Sequence, residues 1–267
     1  MNEKARRLIL LLSLFSFWGC AVNPLTGEKE FMLLSEEQDA KIGRKYAPEI
    51  EKQMGGRIES RRLQDYINSV GQGIARRSYD RPFEYRFAAL NDDSINAFAL
   101  PGGYIFVTKG MLKKLSTEAQ LAGILGHEIS HVVTRDTSAL MSREIGIDLL
   151  LSVVTTEQTP PGVLVATDIT RQILGLRYSR RQEQVADIGG MKYMVAAGFN
   201  PYGMVETMRM LEQEQKSRPI EFLSSHPSPE NRIEYLMERI REDYFNTAGL
   251  KVGKDEYAQN VLDELYD

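Results

Sequence analysis

Hydrophobic residues recur with helical spacing over most of the chain and with strand spacing in one early region. The spacing of apolar positions from Leu63 to Ile74 predicts a helix over residues 57–77. "FEYRFAAL" alternates as a strand does, and residues 95–100, Pro-Gly-Gly and "YIFVT" predict two strands joined by a tight turn. Further helices are predicted over 35–54, 117–133, about 138–154, about 163–178, 180–197, 201–215 and 229–241. This order of elements predicts an α+β fold that is mainly α, with one small early sheet.

The first nineteen residues have the pattern of an export signal. A basic start is followed by an apolar stretch over residues 8–18, which is too short to span a bilayer comfortably. The stretch ends in Gly19 and Cys20, and a small residue before a cysteine resembles a bacterial lipoprotein signal, in which the cysteine is lipidated. We therefore expect residues 1–19 to be a lipoprotein-type signal peptide and Cys20 to receive the lipid. The alternative is a plain secretory peptide or an uncleaved anchor with an incidental cysteine.

Composition limits the classes of function. A chain of 267 residues with 42% hydrophobic content can bury one substantial core. The formal net charge of -4 comes without a basic block that would neutralise phosphates, so we expect no nucleic-acid partner. Cys20 is the only cysteine, which excludes an intramolecular disulfide and a cysteine-based metal or catalytic site. We expect a tether over residues 20–34, one catalytic domain over 35–241 and a C-terminal extension over 242–267.

The segment "GILGHEISHVV", residues 123–133, holds two of the three histidines of the chain. A capping-box pattern precedes it, which predicts a largely buried helix. His127 and His131 lie one turn apart on one face of that helix, so both imidazoles can reach a single metal ion. Glu128 is rotated about 100° from His127 around the helix axis, which suits a general base beside the ligands. The alternative is a buried helix whose histidines are satisfied by hydrogen bonds.

A zinc site of this kind needs a third protein ligand, and the sequence narrows its type. Thr134 and Thr137 stand where a metzincin would have glycine and histidine, so that class is excluded. Because the body of the chain lacks cysteine, a carboxylate on a later helix remains. Glu183 and Asp187 lie four residues apart on one helical face, where one could bind the metal and the other could hold the ring of a ligand histidine. By spacing alone, Glu183 is one of many carboxylates in the chain.

The chain resembles one known family through four motifs in the family's order and spacing: "NAFALPGGYIFVTKGML", "HEISH", "EQVAD" and "SSHPSPENRI". The family is that of the zinc metallopeptidases that include the CAAX prenyl protease, the mitochondrial Oma-type proteases and bacterial HtpX, peptidase family M48. The resemblance extends over about residues 20–240. The segment "NPLTGE" and the lipoprotein-like start are similar to the periplasmic, membrane-anchored bacterial branch. The resemblance implies a zincin-like (minigluzincin) domain built around a buried HExxH helix.

The resemblance also implies roles for individual residues at the metal. It implies one zinc ion per chain, bound by His127, His131 and Glu183. Glu128 matches the general base of the family. Asp187 matches the residue that holds the ring of a zinc-bound histidine.

Further roles are implied around the metal. His226 would either stabilise the oxyanion or occupy the open coordination position as a latch, and the sequence does not decide between them. Arg232 would help to shape the same pocket. The "NAFALPGG" segment matches an edge strand to which an extended substrate adds as a further strand. Its substrate-binding residues would be Asn96, Ala97, Phe98, Ala99 and Leu100. The alternative for these residues is an ordinary half-buried strand.

The implied function is that of a zinc-dependent endopeptidase of the bacterial envelope, whose substrates include misfolded or stalled outer-membrane proteins. We expect a periplasmic protein, anchored to the outer membrane through a lipid on Cys20 and in contact with envelope assembly machinery. One alternative is an inactive zinc-binding lipoprotein with a chaperone-like or assembly role, although Glu128 would have no use there. Another is a structural envelope protein with an accidental HExxH. Residues 155–163 are either a lid over the site or an ordinary exposed connection.

Overall fold

The structure is a computed structural model that describes residues 20–154, 173–228, 231–244 and 246–266. The strands are β1 (Cys20–Val22), β2 (Lys29–Phe31), β3 (Arg86–Leu90), β4 (Ala97–Leu100) and β5 (Tyr104–Thr108). The helices are α1 (Glu36–Gln53), α2 (Arg61–Ala75), α3 (Lys109–Leu112), α4 (Glu118–Thr134), α5 (Asp136–Val154), α6 (Arg180–Ala196), α7 (Tyr202–Ser217), α8 (Glu221–Ser225), α9 (Arg232–Asp243), α10 (Lys254–Tyr257) and α11 (Asp263–Tyr266). A π-helical segment, Ala258–Leu262, joins the last two helices. The predicted signal peptide, the candidate lid and most of the predicted helix at about 163–178 lie outside the described residues.

The fold is α+β and mainly helical, as the sequence predicted. Ser35 and Thr117 begin α1 and α4 with capping boxes, in which the capping side chain and the glutamine three residues later satisfy each other's backbone N–H groups. Helix α2 begins four residues later than predicted, because Ser60 caps it and Arg57 forms a β-bridge with Leu90. Across the described ranges of the chain, no helix has the length and apolar character needed to cross a bilayer.

Strand β5 is the central strand of a three-stranded sheet. It pairs with β3 in parallel and with β4 in antiparallel orientation. The predicted tight turn joins β4 to β5, with Gly102 at a φ of 80° and Gly103 at a φ of 86°, a backbone region that favours glycine. Within the described part of the chain, β4 has a strand on one side only and is therefore an edge strand.

Alternate residues of the sheet face two different cores, because side chains of a strand point to opposite faces in turn. The larger core includes residues of α2 and α4, and the smaller includes residues of α1 and Ile173. The sheet residues facing the larger core are Phe87, Ala89, Ala97, Ala99, Ile105 and Val107. Those facing the smaller core are Ala88, Leu90, Phe98, Leu100 and Phe106. The strands of this sheet are thus buried on both faces. The outer edge of β3 is partly paired with residues 56–58, and the outer edge of β4 faces the segment that contains His226.

Helix α4, which contains the HExxH motif, is buried along its whole length, since all 17 of its residues are buried. It packs against α6 and α7. At the crossing with α6, a Cβ on Gly126 would lie 2.8 Å from the carbonyl oxygen of Gly190, so the two backbones are almost in contact. The glycines of both helices thereby bring the side chains of α6 to the histidines of α4.

Residues 20–34, predicted as a tether, form a hairpin of β1 and β2 that packs on the domain. The side chain of Asn23 accepts hydrogen bonds from two backbone N–H groups of the turn. Met32 is buried, and the N–H of Leu33 donates to Ser142 Oγ at 2.9 Å. Turn chemistry and the buried side chains of Asn23 and Met32 therefore order a segment whose composition is polar.

The segment after α9 packs on the start of α4. The carbonyl oxygens of Val252 and Gly253 accept hydrogen bonds from the N–H groups of Ala119 and Glu118, each at 3.0 Å. These N–H groups lie in the first turn of α4, where a helix offers them no internal partner. Tyr257 is fully buried, and its hydroxyl donates to a backbone carbonyl at 2.7 Å. The C-terminal segment therefore shares the larger core with the helix that contains the histidines.

Candidate metal centre and active site

Two histidines of α4 and a glutamate of α6 converge on one point. The Nε2 atoms of His127 and His131 are 3.1 Å apart. Glu183, in the first turn of α6, places Oε2 3.5 Å from Nε2 of His127 and Oε1 3.4 Å from Nε2 of His131. All three side chains are buried. The fold thus brings Glu183 next to two histidines of another helix, the first of which lies 56 positions earlier in the chain.

The second ring nitrogen of each histidine contacts a carboxylate. Nδ1 of His127 lies 2.9 Å from Asp187 Oδ1, and Nδ1 of His131 lies 2.8 Å from Asp136 Oδ2. A carboxylate accepts hydrogen bonds and cannot donate them, so each Nδ1 carries a proton. In the neutral form of each ring, Nε2 then offers its lone pair to the point where the histidines meet.

The donor set fits a metal cation. Two Nε2 lone pairs that face each other at 3.1 Å repel unless a proton or a metal ion lies between them. Burial would lower the pKa of His131, but hydrogen bonds to Asp136 and Glu183 outweigh it and raise that pKa to about 10. Burial would raise the pKa of Glu183, but His226 and His127 hold it well below its usual range. Histidine nitrogens and a carboxylate are ligands that zinc binds, and four such donors lie within 4.8 Å of one another.

Asp187 is fixed by two residues of α9. Arg232 donates from Nε and Nη2 to its two carboxylate oxygens at 2.8 and 2.6 Å, and the Tyr235 hydroxyl donates to Oδ2. Burial would raise the pKa of Asp187, but the charge of Arg232 and the hydrogen bond from His127 lower it. Asp187 therefore stays a carboxylate that accepts the Nδ1 proton of His127. Arg232 also lies 3.4 Å from Glu183 Oε2, so it contacts the carboxylates of both residues.

His226 lies inside the cluster. Its Nδ1 is 3.0 Å from Glu183 Oε1 and 3.3 Å from His127 Nε2, and its Nε2 is 3.7 Å from Glu128 Oε1. The ring stacks on Phe222, with the centroids 4.4 Å apart and the planes at 11°. The N–H of His226 donates to the carbonyl of Phe222, which closes the short helix α8. Packing and backbone hydrogen bonding thus fix the position of a histidine from a loop.

Glu128 lies beside the donor cluster and is fully buried. Among the residues that the structure describes, neither of its carboxylate oxygens has a hydrogen-bond partner. Burial raises the pKa of Glu128, so it takes up a proton more readily than an exposed glutamate does. A buried carboxylate without a partner is costly, and active sites are where proteins retain such groups.

The edge strand β4 adjoins the same cluster. Asn96, Phe98 and Ala99 line a cavity of about 20 Å³ that His226 also lines. The other lining residues are Ile173, Leu174, Leu176, Tyr178 and Ser225. Such a cavity holds about one water molecule. The segment 173–178 therefore lies beside β4 and His226.

The remaining predicted residues lie elsewhere. The side chains of Ala97 and Leu100 face the two cores of the sheet. Cys20 is exposed at the start of β1, opposite Phe31, and is not part of the donor cluster.

Comparison with known sequences decides the family. The profile of Peptidase family M48 matches residues 61–240. The chain belongs to this family. The motif resemblance that the sequence predicted is thereby confirmed.

Relatives of this M48 chain include bacterial and mitochondrial proteins. The beta-barrel assembly-enhancing protease of Escherichia coli is 28% identical over 230 residues, which is 76% of this chain and 47% of that protein. The protein of the same name from Yersinia pestis is 27% identical over 191 residues, 67% of this chain and 39% of its own length. The mitochondrial metalloendopeptidase OMA1 of Saccharomyces cerevisiae is 26% identical over 260 residues, 88% of this chain and 74% of its own length. The chain spans about half the length of the bacterial relatives it matches.

Tyr235 and Asp136 contact predicted residues of this M48 site and were not themselves predicted from the sequence. Tyr235 follows Arg232 by three positions on α9, and helical spacing places it on the same face, so it could have been found once Arg232 was assigned. Asp136 follows His131 by five positions, a spacing that a continuous helix would not bring to the ring. Only the turn at Arg135, with a φ of 58°, directs Asp136 back to it.

Proposed function

We propose that this M48 chain is a zinc-dependent endopeptidase that hydrolyses protein substrates with water as the nucleophile. The supporting observation is the convergence of His127, His131 and Glu183 beside Glu128, a buried carboxylate without a hydrogen-bond partner among the described residues. A metal site that served stability alone would have no use for such a group. This consideration disfavours an inactive zinc-binding chaperone-like or assembly protein.

One zinc ion per chain would be held by Nε2 of His127, Nε2 of His131 and the carboxylate of Glu183. Bound there, zinc supplies a Lewis acid that polarises the scissile carbonyl and makes a water molecule more acidic. Asp187 keeps the ring of His127 in the tautomer and orientation that this requires. Arg232 in turn fixes Asp187 with two hydrogen bonds and in this way shapes the pocket.

Glu128 acts as the general base and then as the general acid. It takes a proton from the attacking water and returns it to the amine that leaves. The raised pKa of Glu128, caused by burial, suits both steps, because the group must hold the proton between them. The carboxylate moves protons only, so no covalent bond to the enzyme forms.

His226 is assigned as a latch in the conformation described here. The support is the direction of Nδ1, which points to Glu183 and His127, as a fourth ligand would. A stabiliser of the transition state would instead direct an N–H at the developing oxyanion. Movement of the loop that holds His226 would vacate the fourth position and leave the ring free for that second role.

The substrate adds to the sheet as a further strand along residues 96–100. The support is the position of β4 at the sheet edge, next to His226. The segment 173–178 lies beside β4 as well, so a bound substrate would contact it. The bacterial relatives are named for enhancing beta-barrel assembly. By analogy, the substrates proposed for this chain are envelope proteins, including misfolded or stalled outer-membrane proteins, and the proposed partner is envelope assembly machinery.

The protein is periplasmic and is anchored to the outer membrane by a lipid on Cys20. The support is the signal-like sequence before this residue and the exposure of its side chain. Labelled palmitate should enter the intact protein and be absent from the Cys20→Ala variant. A Cys20-intact protein without lipid would decide against the anchor.

Removal and return of the metal tests the proposed activity. Purified protein should cleave denatured casein, lose this activity after treatment with phenanthroline and dialysis, and regain it with one equivalent of zinc. Magnesium serves as the control and should not restore cleavage, because it favours oxygen ligands in octahedral geometry. Cleavage that persists in the protein stripped of zinc would contradict a zinc-dependent mechanism.

A further inference from the structure

Asp136 is a buried carboxylate at the junction of α4 and α5. Its Oδ2 accepts hydrogen bonds from His131 Nδ1 at 2.8 Å and from Thr134 Oγ1 at 2.6 Å. Its Oδ1 accepts a hydrogen bond from Gln182 Nε2 at 2.8 Å. All three groups face it as donors, which is what a carboxylate requires when it is removed from water.

The chain fixes Asp136 through the residue before it. Arg135 ends α4 in the left-handed region, at a φ of 58°, and this turn directs the side chain of Asp136 back to α4. A non-glycine residue in that region is uncommon and persists when its surroundings hold it. Asp39 of α1 accepts a hydrogen bond from Arg135 Nε at 2.6 Å, and the carbonyl of Leu34 accepts one from Nη2 at 2.6 Å. Asp39 also accepts a hydrogen bond from Ser138 Oγ at 2.8 Å. Asp39 therefore binds residues on both sides of Asp136 in the chain, Arg135 and Ser138.

Gln182 connects Asp136 to the other half of the donor set. Its Oε1 lies 2.9 Å from the backbone nitrogen of Ser179, in the capping box at the start of α6. Its Nε2 donates to Asp136. The next residue along α6 is Glu183, so Asp136 joins the helix of the second histidine to the helix of the glutamate.

We propose that Asp136 is a positioning residue that keeps His131 and Glu183 at the right distance to bind one metal ion. This proposal rests on the zinc site proposed above. It fixes the Nδ1–H tautomer of His131, which leaves the Nε2 lone pair for the metal. Through Gln182 it also fixes the first turn of α6, from which Glu183 extends. Asp187 has the corresponding function for His127, so each histidine ring has its own carboxylate.

Zinc affinity, measured by competition with a chromophoric chelator on the full chain, tests this proposal without any assay of activity. Asp136→Ala should weaken zinc binding by about 10- to 100-fold, as the loss of such outer partners does. Asp65→Ala, in an exposed residue of α2, is the control and should bind as the unmodified protein does. Circular dichroism of the metal-free proteins establishes that each variant is folded.

A second pair of variants separates positioning from general loss of structure. Asp136→Asn keeps the size of the side chain but turns an N–H₂ group toward the N–H₂ group of Gln182, so zinc binding should weaken by about tenfold. Adding Gln182→Glu restores an acceptor and keeps the net charge of the pair, and most of the affinity should return. Zinc affinity within twofold of the unmodified protein in Asp136→Asn, or no recovery in the double variant, would overturn the proposal. Failure of the unmodified protein to bind zinc would instead contradict the proposed function.

Discussion

The buried charged side chains around the candidate metal site are paired with one another. Asp187 is buried, and the two hydrogen bonds from Arg232 balance its charge. Removing one partner of a buried ion pair leaves the other charge uncompensated, which is strongly destabilising. Such a cluster adds little net stability even when it is intact. Its arrangement is therefore best explained by the donors that it holds in place, Nε2 of His127 and the carboxylate of Glu183.

The His226→Ala variant tests the latch assignment. Because Nδ1 of His226 points to Glu183 and His127, its loss should weaken zinc binding by about tenfold or more, while kcat for casein stays the same or rises. The measurement is a zinc titration combined with steady-state kinetics. Ser224→Ala, an exposed position of α8, is the control.

Two other results are informative for His226. If zinc affinity were unchanged and kcat fell by about 10²- to 10³-fold, His226 would be a stabiliser of the oxyanion and not a latch. Unchanged values of both quantities would exclude both roles.

The residues of the site divide into those with local sequence signals and those without. A spacing of four residues places two side chains on one face of a helix, whatever the rest of the fold. This signal is present for His127 with His131 and for Glu183 with Asp187. Asp136 has no such signal, because its contact with His131 depends on the backbone turn between them. The position of His226 depends on how α8 stacks Phe222 against its ring, which no spacing encodes.

At the scale of elements, the close crossing of α4 and α6 sets the geometry of the site. The sequence predicts HExxH and Glu-x-x-x-Asp on separate helices, and small residues at the crossing determine how near these helices come. A Cβ added to Gly190 would lie 2.6 Å from the backbone nitrogen of His127, closer than a real contact permits. The helices must then separate, and Glu183 would move away from the histidines.

Gly190→Ala should therefore lower both stability and metal affinity. Overpacking of this kind costs about 1–3 kcal/mol, and zinc binding should weaken because α6 carries Glu183. The measurements are urea denaturation of the metal-free protein and a zinc titration. Gly73→Ala, in α2, is the matched control, since a Cβ there has no described atom within 4 Å.

In the control variant Gly73→Ala, the free energy of unfolding should rise by about 0.5–1 kcal/mol, because alanine is the better helix former. If Gly190→Ala were as stable as Gly73→Ala and bound zinc equally well, the close crossing would have no part in the site.

The elements themselves were largely predictable, and their pairing was not. Capping boxes at Ser35 and Thr117 and apolar periodicity give helix positions from local sequence. The parallel pairing of β3 with β5 joins strands that are not consecutive in the chain, so no turn signal specifies it. The hairpin at residues 20–34 was missed because Asn23 organises it through its side chain, within a stretch that is polar by composition.

At the scale of the whole molecule, both ends of the described chain pack on the part that contains the candidate site. The hairpin is tied to α5 through Leu33 and Ser142, and the C-terminal segment covers the start of α4. Tyr257 and Val261 are members of the larger core. The sequence of such a short segment does not indicate which surface it packs against. For this reason the sequence predicted only an extension over 242–267.

The proposed mechanism makes the activity of the whole protein depend on one carboxylate that does not bind the metal. Glu128 is buried beside the donor cluster, and its two oxygens have no hydrogen-bond partner in the described part of the chain. Its replacement by glutamine preserves size and polarity while removing the ability to accept the proton. Zinc binding and proton transfer can therefore be separated in a single variant.

The most direct measurement is the rate of casein cleavage by Glu128→Gln at equal zinc content. The account predicts about one zinc per chain, as in the unmodified protein, and a kcat lower by about 10²- to 10⁴-fold, the contribution of a general base. Full cleavage activity by Glu128→Gln with zinc still bound would contradict it.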